Sequence, residues 1–359
     1  MKRLIILLFF TQVGVSCWGQ KSLKTLTSKV DQLVAAKMKD YNIPGLAIGI
    51  VQNGKVIYAK GYGVKNIKTK ERVAANTIFH LASVSKLLTA EAIMQLVEKG
   101  ALRLEDRLVE ILPQLSFDDG QLKQITLKQM LNHTAGLPDV YNYHWGNKNQ
   151  TNDALKNDVL GKKFRLKQSP GSKYFYSNLA YDVLGYIVQK ASGQVFEDYI
   201  KSHILDKANM ANSDFRYFKI PEVLRCSPHS RNRLTKRIFV RKTYPYNRVH
   251  APSSTLNSSA KEMCQWMIYF LKKLKTNKTY QSMLKSSFAA YPHIGLGFQL
   301  GTINNIQRVG HFGGDKGFRS YLMMIPEKDM GLVIMGNCDY KDDFRHEILH
   351  PIARVMLKE

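Results

Sequence analysis

Segments with strand character lie only near the two ends of this chain, and the stretch between them reads in helical period. Near the N-terminus, Leu46–Val51 is a buried apolar run, Asn53-Gly54 is a strong hairpin turn, and Lys55–Gly63 returns from it. Near the C-terminus, Phe298–Gly301, Gln307–Phe312, Gly317–Ile325 and Met330–Gly336 read as successive strands. A sheet must then be assembled from both termini. The fold class is α+β: a mostly antiparallel sheet flanked by helices, with an inserted helical subdomain. The sheet part covers residues about 20–75 and 290–359, and the helical part about 76–289.

Apolar spacing places a first helix over Leu23–Met38, another from Leu87 to Val97 ending at Gly100, and a third over Leu102–Leu112 before Pro113. Thr126 caps a short helix carrying Leu127, Met130 and Leu131. Val183–Ala191 forms a helix closed by Gly193, followed by Phe196–Leu205, Ser259–Lys273 and Phe344–Leu357, the last expected to kink or split at Pro351. Residues 139–168 are polar and irregular, and 215–257 is weakly periodic and charged, as an insertion would be.

Chemistry concentrates at Ser83-Val84-Ser85-Lys86, where a short apolar segment meets the start of a helix. A serine there lies beside unpaired backbone N–H groups and the positive end of the helix dipole. Lys86 falls one turn later on the same face, and a lysine kept from water can lose its proton near neutral pH. Ser-x-x-Lys thus supplies a nucleophile and a base from one rigid element. The tetrapeptide is not unique, since Ser258…Lys261 and Ser282…Lys285 repeat it. Ser259-x-x-Glu262 reads as a capping box, and helix capping is also the plain alternative for Ser83.

Met1-Lys2-Arg3, the apolar run Leu4–Phe10 and the small residues to Gly19 have the form of a secretory signal peptide over 1–19, leaving a domain over 20–359. The expected location is periplasmic or extracellular, with a lipid anchor on Cys17 as the second reading. No other segment is apolar for long enough to span a bilayer. Cys226, Cys264 and Cys338 have neither metal-ligand nor Cys-x-x-Cys spacing and read as buried or incidental thiols; three cysteines cannot all pair, so one disulfide is the maximum. With 53 basic against 28 acidic residues the net charge is +25, densest at Arg231, Arg233, Lys236, Arg237, Arg241 and Lys242. In an exported protein this patch favours anionic envelope polymers over nucleic acid, and a solvated basic hairpin is the simplest reading.

Three local signals follow in chain order: Ser83-Val84-Ser85-Lys86, Tyr176-Ser177-Asn178 and His311-Phe312-Gly313-Gly314. Between them stand Ile43-Pro44-Gly45-Leu46-Ala47, Asn132-His133-Thr134-Ala135-Gly136-Leu137-Pro138, Pro170-Gly171 and Gly295-Leu296-Gly297-Phe298. The ordered set resembles the serine β-lactamase-like superfamily, in particular its class C branch with D-alanyl-D-alanine carboxypeptidases and related esterases. The similarity runs from about residue 28 to 357.

The resemblance implies a β-lactamase/transpeptidase-like fold, Ser83 as the acylated nucleophile, and Lys86 and Tyr176 as its proton-transfer partners. Which of the two is the formal base stays open. It further implies that Asn178 bonds the substrate amide or holds Lys86, although capping of the next helix is an alternative. His311, Gly313 and Gly314 should line the pocket on an edge strand, with the Ser83 and Gly314 N–H groups as oxyanion donors. His311 departs from the family's usual lysine and is mostly neutral at pH 7, so weak or no β-lactamase activity is expected.

The expected function is an exported serine hydrolase acting on an amide or ester of a small molecule or peptide, such as a D-amino-acid peptide of the cell envelope. The alternative is a penicillin-binding or sensing protein that acylates without turnover. No Gly-x-Ser-x-Gly elbow is present, which argues against an α/β-hydrolase, and no His-Glu-x-x-His or clustered His/Cys suggests a metal, so neither metal nor cofactor is expected.

Overall fold

The computed structural model describes residues 11–115, 120–340 and 343–358; the Leu4–Phe10 run of the expected leader lies outside them. The main elements in chain order are α1 (Thr11–Tyr41), β1 (Gly45–Gln52), β2 (Lys55–Gly63), α2 (Ser85–Glu98), α3 (Asn178–Ser192), α4 (Ala260–Leu274), β3 (Gln299–Ile303), β4 (Ile306–Asp315), β5 (Phe318–Ile325), β6 (Met330–Gly336) and α5 (Phe344–Met356). Helices flank an antiparallel sheet, the α+β class expected.

Residues 1–42 with 342–359, and residues 43–341, are two compact units. In the first, α1 meets α5, where Glu347 accepts from Lys37 Nζ at 2.6 Å and from the Tyr41 hydroxyl. Pro351 does not split α5, which runs through it as one helix. No helix of the described residues is long and apolar enough to cross a membrane.

In the second unit the strands order as β2-β1-β6-β5-β4-β3, every neighbouring pair antiparallel. The first and last strands of the unit's sequence are partners, Leu46 opposite Gly336, so the sheet is indeed built from both ends. Asn53 and Gly54 have φ of 52° and 70°, the left-handed pair that a two-residue hairpin requires. Asn304 and Asn305 serve the β3–β4 turn in the same way. Helix α4 packs on β1 and β6 because Gly49 has no side chain; a Cβ there would stand 2.5 Å from Cys264 Sγ. Cys226, Cys264 and Cys338 are all buried free thiols.

Helix α2 is the centre of the unit. Every residue from Ser85 to Leu96 is buried, so it is covered on all sides. It packs against α3 and the short helix Ala251–Ser254. Thr126 and Gly193 cap their helices as expected, Gly193 with φ 70°. Ser259 accepts from Glu262 N–H, but the Glu262 carboxylate turns to Asn212 and Ser213, leaving half a capping box.

One expectation fails and a second helix changes form. The helix over Leu102–Leu112 shrinks to Leu108–Ile111, because the backbone of 104–108 is engaged with Ile125, Leu127 and Lys128. The run from Phe196 continues as one turn of α-helix and then π-helix over Lys201–Leu205. The basic stretch forms a hairpin, His229–Arg231 against Ile238–Val240, with Arg233, Lys236, Arg237 and Lys242 exposed.

Gly185 in α3 carries the packing of Ala251–Ser254: a Cβ there would lie 2.0 Å from Pro252 Cγ. At an open helical site Gly→Ala gains up to about 1 kcal/mol. Here the clash with a ring decides the sign, and Gly185→Ala should lose about 1–3 kcal/mol by urea denaturation. A raised unfolding midpoint would contradict this packing.

Candidate active site

Ser83 lies in a 3-10 turn, Ala82–Val84, that runs directly into α2. Neither this turn nor α2 has a side-chain N-cap, so capping does not account for Ser83. Ala82 has φ 49°, a conformation that costs a non-glycine residue about 1 kcal/mol or more. Several bonds hold it. Ser85 Oγ donates to the Ala82 carbonyl at 2.6 Å and accepts from Leu256 N–H at 2.8 Å. Ser320 Oγ donates to the Leu81 carbonyl at 2.6 Å.

Lys86 is wholly buried, yet its amine meets three acceptors: Ser83 Oγ at 3.1 Å, Asn178 Oδ1 at 2.5 Å and the Ser253 carbonyl at 2.7 Å. The rings of Tyr176 and Tyr181 lie 5.1 and 5.4 Å from it. Burial lowers its pKa to about 7, outweighing the pull of Asp182, Asp315 and Asp139. Near neutrality a substantial fraction of the amine therefore has a lone pair facing Ser83.

Tyr176 donates to Ser83 Oγ at 3.0 Å, so the serine oxygen lies between a phenol and an amine. Burial pushes the phenol far above its usual range, which keeps it protonated. Ser83 and Tyr176 both retain partial exposure, leaving the oxygen reachable. His133 supports the tyrosine from behind, with ring centroids 4.4 Å apart. Its Nδ1 accepts from Ser177 N–H at 3.2 Å, and burial first, then the Lys86 charge, holds its pKa well below the ordinary value.

Asn178 does not cap α3. Ser177 does, accepting from Ala180 N–H at 3.0 Å, and this frees the Asn178 amide for the site. Asp139 Oδ1 accepts from both Asn178 N–H, at 2.9 Å, and Nδ2, at 2.8 Å. The carboxylate fixes which end of the amide faces Lys86. One turn along α3, buried Asp182 pairs with His250 Nδ1 at 2.7 Å.

His311, Gly313 and Gly314 lie on β4, which is second from the sheet edge rather than the edge strand expected. Pairing with β3 nevertheless stops at Gly310, so 311–315 has a named strand neighbour, β5, on one side only. A Cβ on Gly313 would stand 2.1 Å from the Leu81 carbonyl, so glycine permits β4 to press against the Ser83 turn. Gly314 is exposed beside it. His311 is buried and donates from Nδ1 to the Phe312 carbonyl at 2.6 Å. Burial first, then the Lys86 charge, lowers its pKa to about 3, so it is a neutral imidazole.

The structure thus brings Ser83, Lys86, Tyr176 and Asn178 into one hydrogen-bonded cluster, with β4 packed on the serine turn. Sequence reasoning missed Ser85, Asp139 and the Asp182–His250 pair. Asp139 directly follows Leu137-Pro138 in a motif that was recognised, but nothing local marks its contact with Asn178.

The beta-lactamase family model matches residues 30–355. Protein flp of Staphylococcus aureus (strain MW2) is 27% identical over 324 residues, 86% of this chain and 62% of that protein. The putative penicillin-binding protein PbpX of Bacillus subtilis (strain 168) is 36% identical over 200 residues, 55% of this chain and 47% of that protein. The chain therefore spans less than two thirds of the length of these curated relatives. The octameric penicillin-binding protein homologue of Pyrococcus abyssi superposes with TM-score 0.80 at 22% identity, covering 92% of this chain and 77% of that one.

Asp139→Ala should let the Asn178 amide turn and slow fluorophosphonate labelling of Ser83 about tenfold or more. Labelling at the wild-type rate would remove Asp139 from the site's support.

Proposed function

The chain belongs to the beta-lactamase family, and from that premise we propose that it is a serine hydrolase that forms an acyl-enzyme at Ser83 on an amide or ester. The observation that carries this reading is the position of Ser83 Oγ, within hydrogen-bond reach of both Lys86 Nζ and Tyr176 OH and partly open to solvent.

In the acylation step Ser83 Oγ attacks the substrate carbonyl carbon and its proton passes to the neutral amine of Lys86. The carbonyl electrons move to oxygen, where the N–H groups of Ser83 and Gly314 are the proposed donors. Collapse expels the leaving amine or alcohol, which takes a proton from Tyr176, and the proton held by Lys86 passes to the phenolate before the acyl-enzyme is hydrolysed. Hydrolysis reverses the sequence with water as the nucleophile, releasing the acid and free Ser83. A phenol held far above its usual pKa is a poor resting base, so Lys86 is the better initial acceptor and Tyr176 the relay.

His311 bears on substrate choice. As a buried neutral imidazole it offers no fixed positive charge at the strand, which favours esters and peptides over penicillins and cephalosporins. Export to the periplasm or exterior, a D-amino-acid envelope peptide as substrate, and contact of the exposed basic hairpin with anionic envelope polymers belong to the same proposal.

A penicillin-binding or sensing role is the second reading, motivated by the name of the Bacillus subtilis relative. Nitrophenyl-ester turnover with a fluorescent penicillin label separates the two. The hydrolase reading expects repeated ester turnover that Ser83→Ala reduces by about a thousandfold or more. Stoichiometric labelling without turnover would favour the binder, and turnover unchanged by Ser83→Ala would overturn both.

A further inference from the structure

Beyond the turn between β4 and β5 lies a cavity of about 300 Å³, lined by Tyr141, Tyr143, Trp145, Arg241, Thr243 and Lys316 among others. Contacts connect it to the serine. Gly314 is followed by Asp315, whose Oδ2 lies 2.8 Å from His80 Nε2, and His80 is on the strand leading into the Ser83 turn. The Trp145 ring stands edge-on to His80 at 6.4 Å and stacks on Tyr143 at 4.5 Å. Lys316, the next residue, is at the tip of the turn.

The charges in this region are unevenly matched. Asp315 is bound to His80, Asp139 to both nitrogens of Asn178, and Asp182 to His250. Lys316 is exposed and has no ion-pair partner among the described residues. Arg241 leans 3.7 Å from Asp339 and donates to Ser230 Oγ at 2.8 Å, yet its buried Nε has no partner. The walls are aromatic, and Tyr141 is 82% exposed, far more than a ring retained for packing. An exposed lysine without an ion-pair partner, with an arginine only loosely paired at 3.7 Å, beside flat aromatic rings suits a ligand with a planar body and an anionic end.

We propose that this cavity is the subsite for a carboxylate-terminated arm of the substrate, with Lys316 and Arg241 holding the carboxylate and Tyr143 and Trp145 lining the arm. This rests on the hydrolase reading and deepens it. Positive charge enters from the β4–β5 turn and the basic hairpin, while residue 311 contributes none.

The test uses the full chain and chromogenic esters of equal acyl length ending in a methyl, a carboxylate or a trimethylammonium group. The carboxylate ester should have kcat/KM about fivefold above the methyl ester, the advantage falling in high salt. Lys316→Ala should lower kcat/KM for the carboxylate ester about fivefold more than for the methyl ester, and Lys316→Glu should favour trimethylammonium. Equal loss on all three esters, or no carboxylate preference in a chain that turns over the methyl ester, would overturn the subsite. Calorimetry of the same esters on the Ser83→Ala chain reads the subsite without turnover, so failure of hydrolysis and failure of the subsite are distinguishable. There a Lys316-dependent preference for the carboxylate supports the proposal, and its absence overturns it.

Discussion

A buried amine is the constraint around which the candidate site is arranged. Lys86 is withdrawn completely from water, and each of its three donors has an acceptor from a different part of the fold: the Ser83 turn, α3 and the segment Ala251–Ser254. The site is thus coupled to helix packing, and a shift of any one element leaves an unmatched charge. The arrangement also links stability to pH. Lys86 has a folded pKa of about 7 against 10.5 for the ordinary group, so the unfolded chain binds more protons between those values. The cost of burying the charge is full below pH about 7 and fades as pH rises toward 10.5.

The serine side is held differently, by backbone strain and close approach. Ala82 is kept in a left-handed conformation by Ser85, while Ser320 fixes the Leu81 carbonyl at the same turn. Gly313 lets β4 lie against that carbonyl. One strand of a sheet assembled from both chain ends therefore meets the first turn of the central helix. Because β3 stops pairing at Gly310, the last part of β4 is left with one strand neighbour where a substrate backbone would approach.

Much of this was legible in the sequence, and what was not has physical reasons. Local chemistry marked Asn53-Gly54, Thr126 and Gly193 as turn or caps, since each acts within a few residues of itself. Strand order placed the sheet at both ends. The Leu102–Leu112 apolar spacing misled, because its backbone bonds go to residues 125–128, beyond any helical window. Asn178 read as an alternative cap of the next helix, but its amide is engaged by Asp139 and Lys86 and Ser177 takes the capping place. Ser85 acts through Ala82 and Leu256, a contact across more than a hundred residues that no spacing reveals. His311 was visible as a departure from lysine; that it is buried and neutral required the neighbours that desolvate it.

The most direct test of this account is the titration of Lys86 itself, followed by carbon-13 NMR of its ε-carbon with Lys86→Arg to assign the signal. The account predicts an apparent pKa near 7 in the folded chain. A signal that titrates near the ordinary lysine value of about 10.4 would show an amine protonated throughout the neutral range, contradicting its proposed role as the acceptor of the Ser83 proton.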